Sequence, residues 1–357
     1  MRWLALATAI ACAGCSSTGA SVPPSTSGCT IFPANHIFNT AIDALPVHPD
    51  SGAFLATIGT HHLHLDLGTT VDQSSSTYYG IPSNVVHAGS MAWSAVQYYS
   101  ADPGLSWDAR AESDCATGAS HAVASPCTAA AAPSPLIPIP ASPLVEGGID
   151  SNPSQPYADH HILIFDADAC RLWETYHSYP HSGGGWDIYG SATWDLHSNA
   201  LRPAGWTSCD AAGFPILPLL LRAAEASSGA IKHALRFTIQ SNKIRTSYVW
   251  PARHLTSNGT SSSSQPPMGQ LFRLKSSFAI PASAGVQARA ILKAMQTYGA
   301  YVADGGSDMY FQGEPSAAWA GDTFSVVQAV SSTDFEAVDI SAITSRPGFN
   351  PDSAAVP

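Results

Sequence analysis

Short runs of alternating apolar and polar residues, cut by Pro and Gly, dominate the chain, and they predict strands more often than helices. His61, Leu63 and Leu65 alternate with His62, His64 and Asp66, which separates the two faces of one strand. Residues 160–165 are apolar and β-branched. Asp166, Ala167, Asp168 and Ala169 then make a turn, and residues 171–177 return as the second arm of a hairpin. On that arm Leu172, Glu174 and Tyr176 share one face, while Trp173, Thr175 and His177 share the other. Glu174 is thereby predicted to point into a cleft or into water. After Gly183, Gly184 and Gly185, residues 186–196 read as a further strand, followed by strands at 234–240, 246–250 and 271–278 and a strand and turn over 300–312. Helical spacing is confined to 216–226, amphipathic only in its second half, and to 284–298. In the latter Ile291, Met295 and Tyr298 line one face, Arg289, Lys293 and Gln296 the other, and Gly299 suits the C-terminal cap.

The pattern predicts a mainly β fold: an antiparallel β-sandwich or jelly-roll-like core with two or three peripheral helices. Residues 29–344 are expected to form one integrated domain. The irregular, Pro-rich stretch 101–158 reads as an extended connector and a possible lobe boundary, and residues 345–357 read as a flexible tail.

The segment from Trp194 to Pro215 has neither strand nor helix period, yet it holds Asp195, His197, Asn199, Arg202, Trp206, Ser208 and Asp210. Such a loop is costly to order, and its polar groups serve either binding and chemistry or its own backbone. Residues 248–254, with Tyr248, Trp250, Arg253 and His254, are the expected opposite wall of a cleft built on it.

The start of the chain changes where this fold is expected to work. Arg2 precedes an apolar run from Leu4 to Ala13 that is too short to span a bilayer, and the run ends in Ala13, Gly14 and Cys15. Residues 1–15 thus resemble a bacterial lipoprotein signal with Cys15 as the lipidated position, an ordinary secreted protein being the alternative. Ser16 after the cysteine suggests the outer membrane or cell surface, and residues 16–28 are a Ser, Thr, Gly and Pro tether. The membrane is expected to be met through that lipid alone. Charged residues make up only 11% of the chain and the net charge is −11, so no basic surface is available for nucleic acid.

The cysteines agree with an oxidising compartment. Cys115 and Cys127 bracket a short loop and are a natural pair, and Cys29 with Cys170, leaving Cys209 free, is the preferred remainder, although sequence does not fix connectivity.

Nucleotide, serine-elbow and zinc-peptidase signatures are absent. The remaining carboxylates, imidazoles and indoles suit glycoside hydrolysis, which needs one sheltered, protonated carboxyl and one ionised carboxyl beside aromatic rings that stack on sugar. Asp195, Asp210 and Glu174 are the expected catalytic residues, with Asp187, Asp304, Asp308 and Glu314 in reserve. Substrate would be bound by His197, Asn199, Arg202, Trp206, Trp250, Arg253 and His254, with Trp186 and Tyr189 extending the platform. A buried ion pair of Arg236 or Arg253 with Asp195 or Asp210 is the structural alternative. Polysaccharide β-elimination would instead draw a base and cations from His197, Asn199, Arg202, His233, Arg236, Tyr248, Arg253 and His254. His62, His64 and Asp66 share a face that could hold a metal or lie solvated; no metal or other cofactor is expected.

The segments SNALRPAGWTS (from Ser198), YVWPARH (from Tyr248) and PPMGQLFRLK (from Pro266) resemble a family of secreted bacterial proteins of hypothetical function, over about Cys29 to Asp339. The resemblance implies a single integrated unit. It also implies that position 209 need not be Cys, in keeping with an unpaired Cys209. The resulting expectation is an extracytoplasmic carbohydrate-active enzyme, a glycoside hydrolase acting on a polysaccharide or oligosaccharide. A polysaccharide lyase, or a noncatalytic glycan-binding or envelope lipoprotein, is the alternative. An enzyme requires the carboxylates to converge on one pocket; a noncatalytic protein would leave them scattered.

Overall fold

The computed structural model describes residues 25–99, 109–149, 159–256 and 258–357, so the signal segment, Cys15 and most of the tether lie outside the described residues. Ten strands set the frame: β1 (His64–Asp66), β2 (Ser83–Val86), β3 (Ile162–Asp166), β4 (Arg171–Tyr176), β5 (Gly190–Asp195), β6 (Leu235–Ile239), β7 (Leu271–Leu274), β8 (Ala300–Gly305), β9 (Tyr310–Gln312) and β10 (Phe335–Ala337).

A four-stranded sheet of order β5-β4-β3-β2 stands between two hydrophobic cores. Ile162 and Ile164 of β3 enter one core with Val86, Trp173 and Ile188, whereas Leu163 and Phe165 enter the other with Leu172, Ala192 and Trp194. A strand covered on both faces carries apolar residues throughout, which is why residues 162–165 show no alternation. The smaller core is closed by a six-stranded sheet built from Ser94–Tyr98, Cys115–Thr117, Ala122–Ala124, Leu136–Ile137, Tyr179–Pro180 and Trp186–Ile188.

The larger core lies against a second six-stranded sheet, order β10-β7-β8-β6-β9-β1. The helix Val286–Thr297 packs on β7, with Ile291 and Met295 fully buried, as their spacing predicts. The fold is mainly β and sandwich-like, as expected, but its sheets are mixed: β2 with β3, β6 with β8 and β9 with β1 run parallel.

Several expected elements change form. Residues 216–226 are not one helix but a 3-10 turn at Leu217–Leu219 followed by a helix at Ala223–Ser228, separated where the backbone turns extended at Leu220 (φ −73°, ψ 149°) and Arg222 (φ −114°, ψ 128°). The strand expected over 186–196 breaks at Tyr189, and its two halves join different sheets. Within 101–158, residues 109–149 supply strands to the smaller core rather than a bare connector, while 101–108 and 150–158 lie outside the described residues.

The tail is not frayed either. Ala354 is fully buried and its N–H donates to Asn199 O at 2.7 Å, and Leu201 N–H donates to Asp352 O at 3.1 Å.

Cys29 bonds Cys170 and Cys115 bonds Cys127, and Cys209 is free and buried. The first bridge spans 141 residues and the second 12, so loop-closure entropy assigns the first about 4 to 5 kcal/mol and the second about 3. Cys29→Ser/Cys170→Ser is accordingly expected to lower the urea midpoint more than Cys115→Ser/Cys127→Ser. The reverse order would show that the denatured chain does not respond to loop length.

Candidate functional site

Most of the 194–215 loop is spent on its own architecture. Asp195 is half-exposed and accepts the His197 N–H at 2.9 Å, a turn cap that leaves it apart from Asp210. Arg202 is buried against Asp114, donates from Nε to Thr207 O at 2.9 Å, and lies over the rings of Trp194 and Trp206 at 5.7 and 5.5 Å. The Trp206 face expected to stack on sugar is thus covered by a guanidinium.

The far side of the proposed cleft fares no better. Gly205 N–H donates to Arg253 O at 2.7 Å and Arg253 N–H to Ala212 O at 2.8 Å, so loop and opposite wall are in direct contact with no cleft between them. Trp250 donates to Ser353 O at 3.0 Å and packs on Phe349, Arg253 pairs with Asp352 at 2.6 Å, His254 meets Ala211 O at 3.0 Å, and Asn199 donates to Asn35 at 3.0 Å. Trp250 and Arg253 hold the tail in place.

Glu174 points neither into a cleft nor into water. It is fully buried, and its carboxyl accepts the backbone N–H groups of Ile216 and Leu217 at 2.9 to 3.0 Å, the donors that open the 3-10 turn. Burial pushes its pKa up to about 7. Asp210 is also fully buried, joined to Arg236 at 2.5 Å and to Ala212 N–H at 2.8 Å, which is the structural alternative foreseen for these residues. Asp187 meets His181 at 3.0 Å, Asp308 meets Lys243 at 2.6 Å, Glu314 accepts Ala223 N–H at 2.9 Å, and His233 is held by Glu225 at 3.0 Å. His64 stacks on Tyr310 at 4.1 Å, and His62 and His64 do not join Asp66 in a ligand set among the described residues.

Carboxylates do converge, but elsewhere. A cleft of about 340 Å³ is lined by Glu112, Asp159, Tyr176, Tyr189, Ser208, Asp210 and Asp304, and a second of about 640 Å³ by Asp66, Tyr78, Tyr79, Glu146, Asp159, His160, Thr238 and Tyr310. Asp159 and Gly305 border both, so the two clefts adjoin.

Asp304 reaches this place through a β-bulge. Phe237 of β6 pairs with Val302 and Thr238 with Asp304, so Ala303 is an extra residue on β8. Leu235, Phe237 and Ile239 face the large core. Unbroken alternation would put Asp304 on their side of the sheet; the bulge puts it on the side of Thr238, toward the clefts.

Asp159 and His161 sit just before β3. His177 N–H donates to Asp159 O at 2.9 Å and Ser178 N–H to His160 O at 3.1 Å, and both His160 (φ 50°) and His177 (φ 54°) occupy the left-handed region. Such backbone strain in non-glycine residues gathers at functional sites.

The electrostatics set these groups apart. Desolvation, with the neighbouring Asp210 carboxyl adding to it, raises the Asp304 pKa to about 7. Its oxygens accept Ala211 N–H at 3.2 Å and Gly305 N–H at 2.7 Å. His161 lies between Glu146 Oε2 at 2.6 Å and Cys209 O at 2.8 Å. Burial opposes charge on that imidazole, but Glu146 outweighs it and lifts the pKa to about 9. Conversely, burial pushes Glu146 up and His161 more than reverses this, leaving its carboxyl below the ordinary range. On the other wall Glu112 is half-buried and accepts Thr207 N–H at 2.9 Å.

Of the residues singled out from sequence, Asp210, Tyr189 and the reserve Asp304 line the smaller cleft. Glu112, Glu146, Asp159 and His161 were missed. The run Asp159, His160, His161 immediately before an unbroken apolar strand was the available signal, since three titratable residues there must lie at the buried strand's mouth. No family model, curated protein or solved structure matches this chain.

Proposed function

We propose that the adjoining clefts are the substrate groove of an extracytoplasmic glycoside hydrolase, with Asp304 as general acid and Glu112 as the second carboxylate. The observation that carries this reading is Asp304: a carboxyl with its pKa raised to about 7 in a cleft that also holds a hydrogen-bonded, partly solvated carboxylate. Glycosidic bond cleavage asks for that division, a protonated group for the leaving oxygen and another for the opposite face of the sugar. Tyr176 and Tyr189 in the smaller cleft, and the exposed Tyr79 in the larger, are the rings available to successive sugars.

A lyase fits less well. No Arg or Lys among the described residues lines either cleft to neutralise a uronate, and burial pushes Tyr176 far above the range of a working base. Neutral polysaccharide is the better substrate class.

Incubation with a panel of neutral and acidic polysaccharides tests this, read by reducing ends and by the ultraviolet absorbance of unsaturated uronates. Reducing ends without that absorbance are expected. Absorbance with acidic polymers would establish a lyase, and binding without any cleavage would leave a glycan-binding protein.

Two disulfides are compatible with an oxidising, extracytoplasmic setting. We place the protein on the cell surface through a lipid at Cys15. Cys15→Ser is expected to move it from the detergent phase to the aqueous phase on Triton X-114 partition of whole cells; an unchanged distribution would mean a different anchor or plain secretion.

A further inference from the structure

Glu146, Asp159 and His161 each bring one ligand-capable atom into a cluster whose atoms all lie within 4.8 Å of one another. We propose that these three residues form a binding site for a first-row divalent transition cation, with Zn²⁺ the ion whose preferences they meet. Four observations converge on it. The donor set is one imidazole and two carboxylates, which suits borderline ions, whereas Ca²⁺ and Mg²⁺ favour oxygen alone.

The imidazole is already oriented. His161 Nε2 faces Cys209 O at 2.8 Å, the backbone carbonyl contact that fixes the tautomer of a metal-binding histidine, and this leaves Nδ1 aimed at Glu146 Oε2 at 2.6 Å. A cation there takes the place of the shared proton. With metal to ligand distances of about 2.1 Å, tetrahedral donors sit about 3.4 Å apart. The Nδ1 to Oε2 gap must then open by less than about 1 Å while Asp159, exposed at the rim, swings inward.

The third observation is independent of the cluster. Tyr78 is only 6% exposed, its hydroxyl has no hydrogen-bond partner among the described residues, and it lines the same 640 Å³ cleft as Glu146 and Asp159. A buried hydroxyl left unpaired is costly, and a water or substrate oxygen on the cation would satisfy it. Fourth, Asp66, Glu146 and Asp159 line one cleft, a concentration of acid that a divalent ion relieves.

Three protein ligands leave a coordination position open toward the cleft, as in sites that act on substrate rather than only brace a fold. The site does not depend on the hydrolase reading, and its test reads binding instead of activity.

The full protein, stripped with chelator and dialysed, is titrated with Zn²⁺ by calorimetry, and Co²⁺ is added separately to read its visible absorption. One equivalent of Zn²⁺ and a Co²⁺ spectrum of low-coordination type are expected. Asp159→Asn, at an exposed position, and Glu146→Gln should each weaken Zn²⁺ by more than the roughly 100-fold upper bound for outer-sphere changes, with circular dichroism unaltered in at least the former. His197→Ala removes the exposed histidine beside Asp195, an obvious adventitious site, and should change nothing. The proposal is overturned if the native protein binds no stoichiometric Zn²⁺, if Asp159→Asn binds as tightly as the native chain, or if binding disappears in His197→Ala.

Discussion

On the hydrolase reading, Asp304→Asn is expected to lower kcat on a cleaved polysaccharide by about 10²- to 10⁴-fold, with little change in KM. The amide keeps the shape of the carboxyl, but its single oxygen can accept from only one of Ala211 and Gly305, so one backbone contact is lost together with the transferable proton. The pH profile supplies a second readout. A general acid works only while protonated, so with a pKa of about 7 the native enzyme should lose kcat/KM as pH rises through 7. That limb should vanish in Asp304→Asn. Glu112→Gln should be comparably slow, whereas Asp195→Asn, which alters only a turn cap, should retain the native rate. Full activity in Asp304→Asn would remove the residue from the mechanism.

Arg236→Met is expected to destabilise the protein by about 3 to 5 kcal/mol, because it leaves the buried Asp210 carboxyl without its ion-pair partner. Asp210→Leu should cost a similar amount from the opposite side, by leaving the Arg236 guanidinium unpaired. The double replacement Arg236→Met/Asp210→Leu should recover most of the loss, since a desolvated ion pair gives back little more than its burial costs. Urea midpoints of the four proteins close a double-mutant cycle. Additive losses would show that the two side chains are not coupled, and would reopen Asp210 as a group with a purpose beyond structure.

Much of the architecture was legible because periodicity reports directly on burial. The hairpin of β3 and β4, the helix face of Ile291 and Met295, and the choice of disulfide partners are all found in the structure. The element over 216–226 was misread because nothing in its apolar run marks the extended backbone at Leu220 and Arg222 that splits it. The mixed sheets were invisible, since strand direction depends on chain crossings that carry no local signature.

The site was legible in composition but not in place. Carboxylates and aromatics were expected to meet, and they do, yet the loop that held most of them spends Arg202 on Asp114 and its tryptophans on that guanidinium. Glu146 and His161 are 15 residues apart and meet through a tertiary contact that no spacing rule encodes. Asp304 was visible only as a turn aspartate, since its direction is decided by pairing with β6.

The extra residue at Ala303 has an engineering corollary. Because it sets the phase of the strand, the site depends on a residue count as much as on residue identity. A chain lacking Ala303 would keep Asp304 in its sequence and still turn its carboxyl toward the core. A design that smooths the strand to ideal pairing would therefore turn the Asp304 carboxyl toward the core while improving the sheet.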